Sequence, residues 1–130
     1  MKRMLNIVAA LSALLCGVPV QAAINAFACE PEWGALTHEI GGDKVSVYQA
    51  TTGLQDPHRI EARPSLIARM RSADLLVCSG ADLEVGWLPL LLQTSGNGKV
   101  QSGQPGNFMA SDFVTRLEVP TAVDQGQPVA

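Results

Sequence analysis

Hydrophobic and polar positions along the chain fall into short blocks that alternate between strand-like and helix-like periods. Residues 24–29 (Ile-Asn-Ala-Phe-Ala-Cys) form a nearly continuous apolar run closed by Glu30-Pro31, the pattern of a strand buried on both faces. Pro31 with the acids Glu30 and Glu32 marks a helix start, and Trp33, Leu36 and Ile40 recur at i, i+3 and i+7 before Gly41-Gly42 ends the segment. Lys44 to Ala50 alternates with valines on one side, which predicts a second strand. Pro64 opens a second helix with Leu66, Met70 and Ala73 as its stripe and Arg69 and Arg71 facing water. Leu75-Leu76-Val77-Cys78 is a third apolar strand ended by Ser79-Gly80. Asp82 to Gln93 reads as a third, largely buried helix in which Pro89 forces a kink or a broken start. A fourth short strand is expected at Lys99 to Ser102, with loop at 103–107 and an ambiguous stretch from Phe113 to Val119.

Strand, helix and strand in succession make a βαβ unit with parallel strands and a right-handed crossover. The fold class is therefore α/β, a small flavodoxin- or Rossmann-like parallel sheet of order about 2-1-3-4 with helices on both faces. The amino terminus reads differently. A basic Met1-Lys2-Arg3, an apolar run from Met4 to Leu15 and Val20-Gln21-Ala22 make a secretory signal peptide over residues 1–22. The expected division is a signal peptide at 1–22, an α/β lobe at 23–120 and a polar tail at 121–130. Export places the chain in the periplasm, with no stable membrane insertion after cleavage, since the apolar run is shorter than the about 20 residues a span needs.

Charge adds an exclusion. Without Lys2 and Arg3, 7 basic side chains face 12 acidic ones, and no basic stripe interleaves with aromatics, so nucleic acid is not a partner. Cys16 lies in the leader, leaving Cys29 and Cys78, which an oxidising compartment can bridge. Two buried thiols in neighbouring strands are the alternative. If the first strand lies beside the third, as in flavodoxin-like sheets, both cysteines sit at carboxyl ends of adjacent strands, and a Cys/Cys/His zinc site with His58 is a third arrangement.

His58 lies in Gln55-Asp56-Pro57-His58-Arg59-Ile60-Glu61-Ala62-Arg63-Pro64, a connection stiffened by proline that leaves the carboxyl end of the second strand, the edge where such sheets place ligands. A neutral imidazole is a common ligand for zinc, and metal-bound histidines give their other N–H to a carboxylate or carbonyl, for which Asp56 and Glu61 are the candidates. His38 sits off its helix's apolar stripe and should face solvent. No nucleophile elbow, Walker loop, G-x-G-x-x-G or H-E-x-x-H is present, so the chain does not read as an enzyme, and a thiol-dependent protein using Cys29 or Cys78 is a rival.

Ile40-Gly41-Gly42-Asp43, Asp56-Pro57-His58 with Glu61 and Pro64, Ser72-Ala73-Asp74-Leu75-Leu76-Val77, and Gly80-Ala81-Asp82-Leu83-Glu84 with Trp87, in this order, resemble the amino-terminal lobe of the zinc/manganese-type solute-binding proteins of ABC transporters. The resemblance implies two α/β lobes that hold Zn²⁺, with Mn²⁺ as the other ion, and deliver it to an inner-membrane permease. His58 matches the metal-ligating histidine of the first lobe. It covers about the first half of a family member. The family's later ligands have no counterpart, because no histidine follows His58, so a truncated lobe without competent metal binding is the other expectation.

Overall fold

The computed structural model describes residues 23–117. The expected leader and the tail at 121–130 lie outside them. Four strands, β1 (Ile24–Ala28), β2 (Val45–Gln49), β3 (Leu75–Cys78) and β4 (Asn107–Met109), form one sheet of order β2-β1-β3-β4. Every neighbouring pair is parallel, as the apolar blocks predict. Three helices alternate with them: α1 (Pro31–Gly41), α2 (Pro64–Arg71) and α3 (Leu88–Ser95).

The alternation of side chains across the pleat divides the core unequally. Phe27, Cys29, Leu76 and Cys78 point to the face covered by α2 and α3, where they meet Leu66, Met70, Trp87, Leu88, Leu91, Leu92 and Val100 in one buried cluster. The opposite face carries Ala26 and Ala28, which are small enough to let α1 lie close over β1 and β2. Gly34 is the one buried residue of α1, and a Cβ there would fall 2.5 Å from the Gln49 side chain. Gly41 would likewise meet Val45. The glycines are what allow helix and strand to touch.

Four expectations change. The α1 stripe is not buried: Leu36 is 48% and Ile40 79% exposed, because α1 is the only helix on its face among the described residues. With Trp33 they line an apolar groove of about 330 Å³ floored by Val45, Leu75, Val77 and Phe108. The first strand is buried only from Ala26 onward, Ile24 being 47% exposed. The third helix begins at Leu88 rather than Asp82, with Pro89 in its first turn and residues 81–87 in turns. The fourth strand is Asn107–Met109, not Lys99–Ser102. Residues 98–100 instead form a 3₁₀ turn capped by the Asn97 side-chain Oδ1, which accepts from the Lys99 N–H at 3.1 Å, and Val100 plugs the core.

Asn97 does a second job. Its buried amide nitrogen donates to the carbonyls of Met70 at 2.8 Å and Ala73 at 2.7 Å, adding to the Ala73 N–H that Met70 already accepts and closing the carboxyl end of α2. Asn97→Ala leaves the Ala73 carbonyl without its partner and Met70 with only the Ala73 N–H, and urea denaturation should show a loss of about 1–3 kcal/mol with an unchanged denaturant slope.

Candidate metal-binding edge

The carboxyl ends of β1, β2 and β3 meet on one edge of the sheet, and the residues singled out by their chemistry gather there. Two connections shape that edge: residues 50–63 after β2 and residues 79–87 after β3.

In the first, Asp56 caps a short 3₁₀ turn, Pro57–Arg59. Its Oδ1 accepts the His58 backbone N–H at 3.0 Å and lies 2.9 Å from His58 Nδ1. These bonds hold the Asp56 carboxyl below its ordinary pKa, and an ionised carboxylate can only accept. Nδ1 therefore carries the proton, and the Nε2 lone pair is left to face outward. The His58 side chain is 61% exposed, so that lone pair is open to a ligand. Glu61, the other expected orienter, is exposed and its side chain bonds nothing among the described residues. Arg59 Nε, 3.5 Å from Asp56 Oδ2, takes the remaining carboxylate oxygen.

The second connection holds the first in place. Trp87 is buried, and its indole N–H donates to the Pro57 carbonyl at 2.8 Å. Gly86 passes so close to His58 that a Cβ would stand 2.9 Å from the His58 carbonyl oxygen. This connection is itself strained and clamped. Gly80, Ala81 and Asp82 have φ of 76°, 52° and 68°, a conformation costing the two non-glycine residues about 1 kcal/mol each. Against that cost stands Glu84, whose Oε1 accepts from the Ser79 N–H at 2.8 Å and whose Oε2 accepts from the Gly80 N–H at 3.0 Å. The sequence shows Asp82 and Glu84 as helix-start acids. Their environment shows Glu84 turned back to fasten the end of β3.

Beneath the two connections, a disulfide joins Cys29 to Cys78 with Cα atoms 4.9 Å apart. Register explains it: Ala28 pairs with Val77, so the next residues of β1 and β3 stand opposite each other on one face. Bridged cysteines offer neither a thiolate nucleophile nor a metal ligand. The side chain beside them is that of Glu84 and not His58, so a Cys/Cys/His constellation does not form. His38 is exposed on α1.

Glu30, read from the sequence as a helix-start acid, makes no capping bond and is 4% exposed. Its Oε2 accepts from the Ser79 hydroxyl at 3.2 Å, and Ser79 Oγ accepts from the Trp33 indole N–H at 2.7 Å. Oε1 has no partner among the described residues. Burial, and then the neighbouring Glu84 carboxylate, push the Glu30 carboxyl up to about 7. Protonated, Oε1 becomes a donor to Glu84 and the orphan is satisfied.

The family described as zinc-uptake complex component A, periplasmic, matches residues 27–119. A manganese ABC transporter substrate-binding lipoprotein, PsaA of Streptococcus pneumoniae, is 33% identical over 82 residues, 61% of this chain and 25% of its own length. The chain thus spans about a quarter of that relative. Among solved structures, a ZnuA crystal structure is 29% identical with a TM-score of 0.53, covering 64% of this chain and 34% of the other. A Mn-bound periplasmic metal-binding protein from Candidatus Liberibacter asiaticus shares the fold at 18% identity and a TM-score of 0.58, over 81% of this chain and 36% of that one.

Two outcomes follow from this geometry. Unfolded Glu30 ionises near 4.5, whereas the folded chain holds its proton to about 7, so stability is fully present below 4.5 and falls as pH rises through 7. Urea midpoints at pH 5 and pH 8 should differ in that sense, and the difference should shrink in Glu30→Gln. Trp87→Phe keeps the buried ring but removes the donor to Pro57, and should cost about 1–2 kcal/mol while speeding proteolytic cleavage within residues 52–61.

Proposed function

Because the chain belongs to the periplasmic zinc-uptake component A family, we propose that residues 23–120 are a metal-binding lobe that helps capture a divalent cation for uptake by an ABC transporter. Zinc is the favoured ion, and manganese is the alternative that the Streptococcus relative's name raises. The observation that carries the reading is the 2.9 Å approach of Asp56 Oδ1 to His58 Nδ1. It fixes the tautomer and aims Nε2 at solvent on the edge of the sheet where parallel α/β folds take ligands.

In this reading His58 supplies one neutral imidazole, Asp56 orients it, and Trp87 and Gly86 position the backbone that carries both. Glu61 is an outer candidate that could swing towards the ion. A tight zinc site has three or four protein ligands, so the remaining donors come from outside the described residues. Cargo arrives and leaves as the free ion, and no bond of a substrate is made or broken, which makes the chain a carrier and not an enzyme. Its compartment is the periplasm and its partner is an inner-membrane permease; the described residues contain no helix long and apolar enough to cross a membrane. The bridge between Cys29 and Cys78 counts against the rival thiol chemistry.

Calorimetric titration of the full chain with zinc, and in parallel with manganese, tests the proposal. His58→Ala should weaken zinc binding at least about tenfold and Asp56→Ala by roughly tenfold. An affinity unchanged in His58→Ala removes His58 from the site and the reading with it.

A further inference from the structure

Apart from His58, the same edge buries a second set of donors. Cys29 Sγ, Cys78 Sγ and a Glu84 carboxylate oxygen all lie within 4.8 Å of one another, and the three residues are 0%, 0% and 3% exposed. We propose that, once the Cys29–Cys78 bridge is reduced, the two thiolates and Glu84 form a redox-gated site for a soft divalent cation such as zinc or cadmium, distinct from the His58 site.

The fold holds this donor set in place. The cysteines are fixed opposite each other by the register of β1 and β3. Glu84 is oriented by the Ser79 and Gly80 N–H groups, and Oε2 makes only one of those bonds, which leaves it a free lone pair. A tetrahedral ion with sulfur at about 2.3 Å and oxygen at about 2.1 Å needs donors some 3.5–3.8 Å apart. Side-chain rotation of the freed cysteines reaches that spacing from the present one. A further carboxyl lies beside this set: Glu30, the residue after Cys29, has a buried Oε1 whose one available neighbour is the Glu84 carboxylate. Glu30 stands outside the three-donor set and would become a fourth donor only by losing its proton and turning from Glu84 to the ion.

Charge and softness select the occupant. Two thiolates and a carboxylate out of water are untenable without a cation among them. Thiolates favour zinc and cadmium over manganese, so this site discriminates where an imidazole edge does not. A dithiol supplies two electrons and two protons to the Cys29–Cys78 bond, leaving two thiols and the reductant as a disulfide. The metal then displaces both thiol protons to solvent. Transfer of two electrons from the thiolates to an oxidising disulfide re-forms the bridge and expels the ion.

The full chain, reduced with excess dithiol and desalted without air, is titrated with cadmium. A thiolate-to-cadmium charge-transfer absorption should saturate at one ion per chain, persist in His58→Ala, and be absent from the oxidised protein. Glu84→Gln should weaken it roughly tenfold or more. Far-ultraviolet circular dichroism should show the helices retained in the reduced chain or restored by cadmium. The proposal is overturned by absorption that does not saturate at one ion, by binding within twofold of wild type in Glu84→Gln, or by stoichiometric binding to a chain that stays unfolded. Loss of zinc affinity at His58 with this absorption intact would leave the two sites independent.

Discussion

The pairing of β1 with β3 is the constraint on which the rest depends. Three consecutive pairs, Ala26 with Leu75 through Ala28 with Val77, bring segments about 50 residues apart into register. Because successive side chains alternate across the pleat, that register sends Phe27 and Cys29 to the same face as Leu76 and Cys78. A slip of one residue would separate the cysteines and turn the slipped strand's core residues towards α1. The disulfide closes the loop just beyond the last pair, and the chain-entropy view values such a closure at roughly 4 kcal/mol. Bridge and ladder specify the same register.

From that register the edge follows. The chain leaves β2 into the loop of His58 and leaves β3 into the turns of Glu84 and Trp87, and the two connections touch because their strands flank β1. Asp56 sets the tautomer of a single imidazole from within its own turn, whereas the position of that turn is set from the other connection through one indole bond and one glycine. Orientation is local and placement is tertiary.

Much of this was legible in the sequence. Proline at the head of each helix, apolar blocks of strand length, and glycine after α1 placed three strands and two helices, and the order of the sheet came by analogy with flavodoxin-like sheets. Asp56 as the partner of His58 could be read because both lie within three residues. What failed did so where a local signal served a tertiary purpose. Asp82 and Glu84 look like the acids of a helix start, but the Glu84 carboxylate serves the backbone of Ser79 and Gly80. Lys99 to Ser102 has a strand's composition, yet Asn97 claims its backbone for a turn. The α1 stripe has the right period for burial, and periodicity says nothing about whether a neighbouring helix exists to meet it. The paired acids Glu30 and Glu84 were invisible because 54 residues separate them.

Residues 79–87 fasten the end of β3 by a carboxylate and steady the neighbouring loop by an indole three positions later. Both anchors lie on one rigid turn, so its length is set from two sides at once: a residue added or removed between Glu84 and Trp87 would satisfy one anchor only by tearing the other. The segment is thus a single transplantable unit. Moving the His58 loop onto another parallel sheet would require carrying this turn with it, together with the α2 and α3 side chains that bury Trp87.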